Sequence, residues 1–293
     1  MMIDYLTLKH WHFEPLERTY GPHDAMLYGL GIGYGADPLD QDDLRFVYEK
    51  ELRVSPTFAN VLGYPGFWAK DPRTGIDWVK LLHGEQTLRI HRPLPKAATV
   101  VGQSRVARLI DKGEGKGALL LIERTIVDKT SGELLATVEQ LNFLRGDGGF
   151  SASGQPSDDP IASPPPMPER APDVICDLPT RAETALIYRL SGDDNPLHAD
   201  PSVARAAGFE RPILHGLATY AVAGRAVLKH ACESDPARLA LLHTRFTAPV
   251  YPGETIRTEL WIDGSTVRFR ARSLERDVIV LNSGTAELRA TGD

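Results

Sequence analysis

Gly216-Leu-Ala-Thr-Tyr-Ala-Val-Ala-Gly-Arg-Ala-Val-Leu-Lys-His-Ala-Cys232 is the stretch on which the fold turns. Leu217, Ala218, Tyr220, Ala221, Val222, Ala223, Ala226, Val227 and Leu228 cover nearly the whole helical circumference. A helix that is apolar all round is a buried one, so this segment is expected inside the protein. Four β-like runs follow it: Leu239–Thr247, Glu254–Ile262, Thr266–Ser273 and Asp277–Leu288. Asp263-Gly264, between the second and third runs, is a strong hairpin signal. A long buried helix followed by an antiparallel meander predicts a sheet curled around a helix, an α+β arrangement.

Upstream, Arg181–Leu190 suits a short helix, and Asp200-Pro201 is an N-cap with proline at the first helical position, opening a helix through Ala207. The strand pattern recurs earlier, in Gln86–His91, Thr99–Leu109, Ala118–Asp128 and Leu134–Phe143. Between the two runs of strands lies a proline-rich stretch containing Gly148-Gly149, Pro156, Pro160, Pro164-Pro165-Pro166, Pro168 and Pro172. Proline fixes φ and lacks a donor, so residues 147–172 read as an extended connector belonging to neither core. The chain then divides into residues 1–146, the connector, and residues 173–293. The halves look related. Ala25-x-x-Tyr28-x-Leu30 recurs as Ala185-x-x-Tyr188-x-Leu190, and Leu81-Leu82-His83 as Leu241-Leu242-His243, both at an offset of 160 residues. Two matches at one offset predict an internal duplication.

Composition bounds the function. With 33 basic and 39 acidic side chains the 293-residue chain has a net charge of −6, which argues against a nucleic-acid partner. No apolar run reaches the roughly 18 residues of a membrane span. The opening MMIDYLTLKHWHFEP lacks the order of a signal peptide, and Arg289-Ala-Thr-Gly-Asp293 is not a peroxisomal address. Cys176 and Cys232 are far apart and form no C-x-x-C pair, which excludes a disulfide framework and indicates a reducing compartment. A soluble cytoplasmic protein, binding neither nucleic acid nor membrane, is the expectation.

One segment concentrates polar residues: Tyr188-Arg-Leu-Ser-Gly-Asp193-Asp-Asn195-Pro-Leu-His198-Ala-Asp200. A carboxylate, a carboxamide and an imidazole share a turn-rich loop, and Asp193 and His198 are the residue types for acid–base work on a water or a C–H bond. Asn195 could orient either one or a water. An isolated Asp-x-Asn-Pro is better explained by turn formation. A metal loop built from Asp193, Asp194, His198 and Asp200 is a second alternative, but it lacks EF-hand spacing. Downstream, Arg211-Pro-Ile-Leu-His215-Gly216 leads into the buried helix. The first amides of a helix lack internal partners, so the Gly216 N–H could serve a developing oxyanion, or the glycine could simply ease the turn. At the 160-residue offset, Asp193 falls on Gly33, His198 on Pro38 and Gly216 on Pro56, so only the second half carries this set and one site per chain is expected. Gly29-x-Gly31-x-Gly33-x-Gly35 superficially suggests a phosphate loop, but Asp37, Asp40, Asp42 and Asp43 follow without a lysine, so it reads as a bend.

The segment from Tyr188 to His198, followed by Gly208-Phe-Glu-Arg-Pro-Ile-Leu-His-Gly216, resembles the signature of (R)-specific 2-enoyl-CoA hydratases, the hydratase 2 or MaoC-like dehydratase family. Residues 23–33, Leu81-Leu-His-Gly-Glu-Gln86 and Phe246-Thr-Ala-Pro-Val-Tyr-Pro-Gly-Glu254 resemble the two-domain form in peroxisomal multifunctional enzyme type 2. The likeness runs from about Glu17 to Leu288. It implies a double hot-dog fold, in which the first half is degenerate and accommodates the acyl-CoA while the second is catalytic. It also implies reversible hydration of trans-2-enoyl-CoA to (R)-3-hydroxyacyl-CoA. Asp193 and His198 would act on the water and the α-carbon proton, Asn195 would support them, and the Gly216 amide would polarise the thioester carbonyl. Acyl-CoA contacts would fall on His83, Gly84, Lys112 and Phe246. No metal or redox cofactor is implied. Alternatives are a hydratase for a branched, dicarboxylic or steroid-derived acyl-CoA, a hot-dog thioesterase, and a non-catalytic acyl-CoA-binding subunit. The oligomeric state stays open, with a homodimer through sheet edges as one outcome.

Overall fold

The computed structural model describes residues 3–290. Met1 and Met2, and the last three residues of the tail read above, lie outside the described residues. Ten strands form one antiparallel sheet. In chain order they are β1 (Leu16–Tyr20), β2 (Leu81–Ile90), β3 (Ala98–Asp111), β4 (Ala118–Asp128), β5 (Leu134–Leu144), β6 (Val174–Pro179), β7 (Leu239–Phe246), β8 (Thr255–Asp263), β9 (Thr266–Ser273) and β10 (Val278–Leu288). The spatial order is β1-β3-β4-β5-β2-β7-β10-β9-β8-β6. Read from the centre outward, the two halves list corresponding strands in the same order, as a duplicated unit requires. The halves join through β2 and β7. Glu85 lies directly opposite Arg245, its own counterpart at the 160-residue offset, so the pseudo-twofold axis passes through this pair. The Arg245 guanidinium holds the Glu85 carboxylate at 2.5 Å.

The predicted buried helix is present as Gly216–Ala231, and every residue from Ala218 to Leu228 is buried. Its counterpart starts at the same relative position, yet Pro56–Val61 is only a six-residue 3-10 helix, all of it buried. The first half therefore wraps a stub where the second wraps four turns. This double hot-dog arrangement agrees with the α+β expectation. Two further helices meet at the pseudo-axis, Pro22–Gly31 and Thr184–Tyr188, and the rings of Tyr28 and Tyr188 pack with centroids 5.6 Å apart. Gly29 and Gly31 close the first of these helices, and Gly33 and Gly35 turn the chain with positive φ, which glycine adopts without strain.

Charge ties the long helix to the other half. Arg225, buried within it, pairs with Asp43 and donates to the Gly33 carbonyl at 2.6 Å. Lys229, one turn on, reaches Asp40 at 2.5 Å. The acidic stretch after the glycines thus has a structural partner across the halves.

The connector needs a correction. Past the 3-10 helix Phe150–Ser153 it carries no helix or strand before β6, but it does not stand apart from both cores. Phe150 is fully buried in a second apolar cluster with Tyr5, Leu8 and Leu109. Asp158 accepts from the Tyr5 hydroxyl at 2.8 Å, Lys9 at 2.7 Å and the Leu109 amide at 2.7 Å. Further along, the Pro165 carbonyl accepts from Arg268 and the Arg170 carbonyl from the Trp261 indole, each at 2.7 Å. A proline-rich composition predicts extension, but it says nothing of what an extended chain lies against.

Candidate active site

The Asp193–His198 loop is built on a glycine and a cap. Gly192 has φ 131°, a conformation that other residues rarely adopt, and it ends the turn after Tyr188. Asn195 caps the short 3-10 helix Pro196–His198, its side-chain oxygen accepting from the Leu197 amide at 3.1 Å. The carboxamide oxygen is thereby fixed and the NH₂ end is left facing its surroundings. Asp193 Oδ1 accepts from the Asn195 amide at 3.3 Å.

His198 is buried, and its Nδ1 lies 2.9 Å from the Ile213 carbonyl. A carbonyl only accepts, so Nδ1 carries the proton and Nε2 keeps the lone pair. Burial lowers the pKa of His198, and the Ile213 carbonyl and the Asp193 charge oppose that shift. Burial raises that of Asp193, opposed first by His198. The two groups face each other as a neutral imidazole base and a carboxylate whose charge is held in a poorly hydrated place.

His215 joins them, and sequence reasoning did not single it out. It is the residue before the long helix, its Nε2 donates to the Asp193 carbonyl at 3.1 Å, and its ring lies 3.8 Å from that of His198 at 30°. Burial, with the neighbouring His198, holds its pKa at about 3, so it stays neutral. It fixes the Asp193 backbone and one face of the His198 ring together. Its position beside Gly216 was the only signal in the sequence. Ligating atoms of Asp193, His198 and His215 lie within 4.8 Å of one another, a spacing compatible with a metal. Hydrogen bonds to backbone carbonyls, however, already occupy one nitrogen of each ring, His198 Nδ1 with Ile213 and His215 Nε2 with Asp193. The quartet that the sequence offered does not assemble, since Asp200 caps the helix Pro201–Ala206 by accepting from the Ser202 amide.

Gly216 is the first residue of the long helix, directly after His215. A Cβ there would lie 3.3 Å from the Phe246 ring, so the glycine admits close approach from that side. Phe246 in turn packs on His83 with centroids 4.6 Å apart. Gly84 sits at a bulge in the pairing of β2 with β5, between His83 and Glu85. That irregularity turns His83 toward Gln86, whose side-chain oxygen lies 3.0 Å from His83 Nε2. Burial brings the pKa of His83 to about 4. Three of the four expected acyl-CoA contacts, His83, Gly84 and Phe246, therefore gather beside Gly216. Lys112 stands apart, just past the end of β3, its ammonium 5.0 Å above the Phe143 ring. Phe143 is paired with Leu82, the neighbour of His83, and so shares the face of Leu82 and not that of His83.

These features match a recorded family. Residues 164–283 match the model of the MaoC like domain, and residues 19–146 that of the MFE-2 hydratase 2 N-terminal domain. The chain is 41% identical over 292 residues to the peroxisomal enoyl-CoA hydratase 2 of Arabidopsis thaliana, covering 92% of this chain and 91% of that one. It is 42% identical over 253 residues to 3-hydroxyacyl-thioester dehydratase Y of Mycobacterium tuberculosis, covering 85% and 84%. The crystal structure of a MaoC-like dehydratase from Phytophthora capsici superposes with a TM-score of 0.86 at 31% identity, covering 99% of this chain and all of that one. The chain belongs to the hydratase 2 family of MaoC-like dehydratases, and it is an enzyme of that family. No helix among the described residues is long and apolar enough to cross a membrane.

Proposed function

We propose that this protein catalyses the reversible hydration of trans-2-enoyl-CoA to (R)-3-hydroxyacyl-CoA. The observation that supports the reading is that ligating atoms of Asp193, His198 and His215 lie within 4.8 Å of one another, with Gly216, the residue after His215, opening the long helix. Relatives named enoyl-CoA hydratase 2 and 3-hydroxyacyl-thioester dehydratase support the same chemistry.

In this reading the thioester carbonyl accepts the Gly216 N–H, which gains strength as the carbonyl becomes an enolate. Asp193 and the Asn195 carboxamide hold the water. His198 Nε2 takes one of its protons as the oxygen bonds to the β-carbon, and Asp193 stabilises the resulting imidazolium. The imidazolium then returns the proton to the α-carbon, so no charge or proton is left over. His215 is a positioning residue for both partners. Residues 1–146 accommodate the acyl-CoA, residues 147–172 connect, and residues 173–293 carry the chemistry. In this reading His83, Gly84 and Phe246 line the thioester end, and Lys112 meets a CoA phosphate. A cytoplasmic location rests on the two free, buried thiols, Cys176 and Cys232. Any homodimer built through sheet edges would use β1 or β6, the two ends of the sheet.

The test is loss of the enoyl-thioester absorbance of crotonyl-CoA and a longer trans-2-enoyl-CoA, run beside a thiol-release assay. Absorbance loss without thiol supports hydration. Thiol release would make the protein a thioesterase, and CoA binding with neither signal would make it a binder.

A further inference from the structure

The first half holds a cavity of about 30 Å³ between the segment Tyr64–Ala69 and the inner face of β2, β4 and β5. That is room for roughly two water-sized groups. Apolar and polar residues alternate across its strand-lined wall, with Leu120 opposite Asn142, Ile122 opposite Gln140 and Val138 opposite Arg124. Arg124 is the only charged residue in this lining.

Only two arginines of the described chain are fully buried, Arg124 and Arg225, each 5% exposed. Arg225 is paired with Asp43. Arg124 has no carboxylate. One of its nitrogens donates to the Asn60 carbonyl at 2.6 Å, and its guanidinium lies 5.4 Å from the centre of the Tyr64 ring. Its Nε is buried without a partner, as is the side-chain nitrogen of the adjoining Asn60. Glu123, the neighbouring acid on β4, is taken by Arg105 at 2.7 Å. A guanidinium has five donors and cannot shed its proton, so leaving it unpaired in a buried place is costly. Desolvation depresses even this group, to about 10.

The cavity also faces the chemistry. Tyr64, pushed up to about 12 by burial, feels the charges of both Asp193 and Arg124. Gln86 donates to Asn60 at 2.9 Å and joins His83, so one polar chain runs from the thioester side to Arg124. We propose that the acyl group this enzyme hydrates carries a second carboxylate, which enters this cavity and pairs with Arg124. The inference rests on the hydratase reading above and specifies its substrate class as a dicarboxylic acyl-CoA. The two oxygens of the far carboxylate would take the place of the roughly two water-sized groups that the volume admits beside Arg124, and so small a volume suits a carboxylate better than a ring.

The test compares trans-2-enoyl-CoA substrates of graded length with their ω-carboxy counterparts, in the wild type and in Arg124→Met. At one length the ω-carboxy substrate should have the higher kcat/KM by about 10²-fold, with the difference mostly in KM. R124M should lose that preference, and because an apolar side chain replaces an unpaired buried charge its melting temperature should hold or rise. Hydration of both series with no preference for the carboxylate at any length in the wild type overturns the proposal while leaving the hydratase reading intact. Hydration of neither series overturns that reading instead. A loss of affinity for CoA itself in R124M would assign the guanidinium to the CoA phosphates and overturn the proposal as well.

Discussion

Pro56 and Gly216 occupy the same place, 160 residues apart, each as the first residue of the helix that its half of the sheet wraps. One has no N–H to offer and the other has a free one. The pair isolates what the second half has that the first lacks, at a position where proline itself is compatible with a helix. His215 already has the extended backbone, φ −54° and ψ 133°, that a following proline requires.

Gly216→Pro should therefore keep the helix but remove the amide donor, lowering kcat by about 10²–10³-fold. Gly216→Ala places a Cβ against Phe246 but retains the donor. Steady-state kinetics of the two variants separate the donor from the crowding. Equal losses in both would mean that Phe246, not the amide, is what Gly216 serves.

Asp193→Asn and His198→Ala should each reduce turnover by about 10²–10⁴-fold, the usual worth of acid–base catalysis, with unchanged circular dichroism. The double variant should be little worse than either single one, because the two groups act as a unit. Additive losses would separate their roles.

The pH profile follows from the directions of the two shifts. His198 lies below its ordinary value of 6.5 and Asp193 above its ordinary 3.8, both through burial first. Both must be deprotonated for hydration, so kcat/KM should be flat at neutral pH and fall as pH drops through the window between those values. In Asp193→Asn the carboxylate no longer raises the imidazole's pKa, so the residual acid limb should move to lower pH. A limb that moves upward would contradict the pairing.

The Asp43–Arg225 pair is buried on both sides and crosses between the halves. Asp43→Asn leaves the guanidinium unpaired, and breaking such a pair costs about 3–5 kcal/mol. Thermal unfolding should register this as a clear fall in melting temperature. The surface Arg73–Asp71 pair serves as a control, with little change in melting temperature expected on Arg73→Gln.

The second half was legible because its signals are local. The helix at Gly216 is apolar on every face, Asp200-Pro201 caps as its residues dictate, and β9 runs over Thr266–Ser273 as its pattern predicts. The edge strands β1 and β6 were not read. Each is short, and Leu16-Glu-Arg-Thr-Tyr20 carries the charges expected of an edge. The stub Pro56–Val61 is too short to show a helical period. In the site, Asp193, Asn195 and His198 share one short loop, which is why the sequence groups them. His215 was hidden by its role as a backbone anchor. Tyr64 and Arg124 reach the cavity only through the pairing of distant strands, which no spacing in the chain records.

The most direct measurement is chiral analysis of the 3-hydroxyacyl-CoA formed from a trans-2-enoyl-CoA, by the wild type beside His198→Ala. An (R)-configured product from the wild type, with the variant's rate lowered by orders of magnitude, is the predicted result. An (S)-configured or racemic product, or an (R)-configured one formed at the same rate by both proteins, would contradict the account.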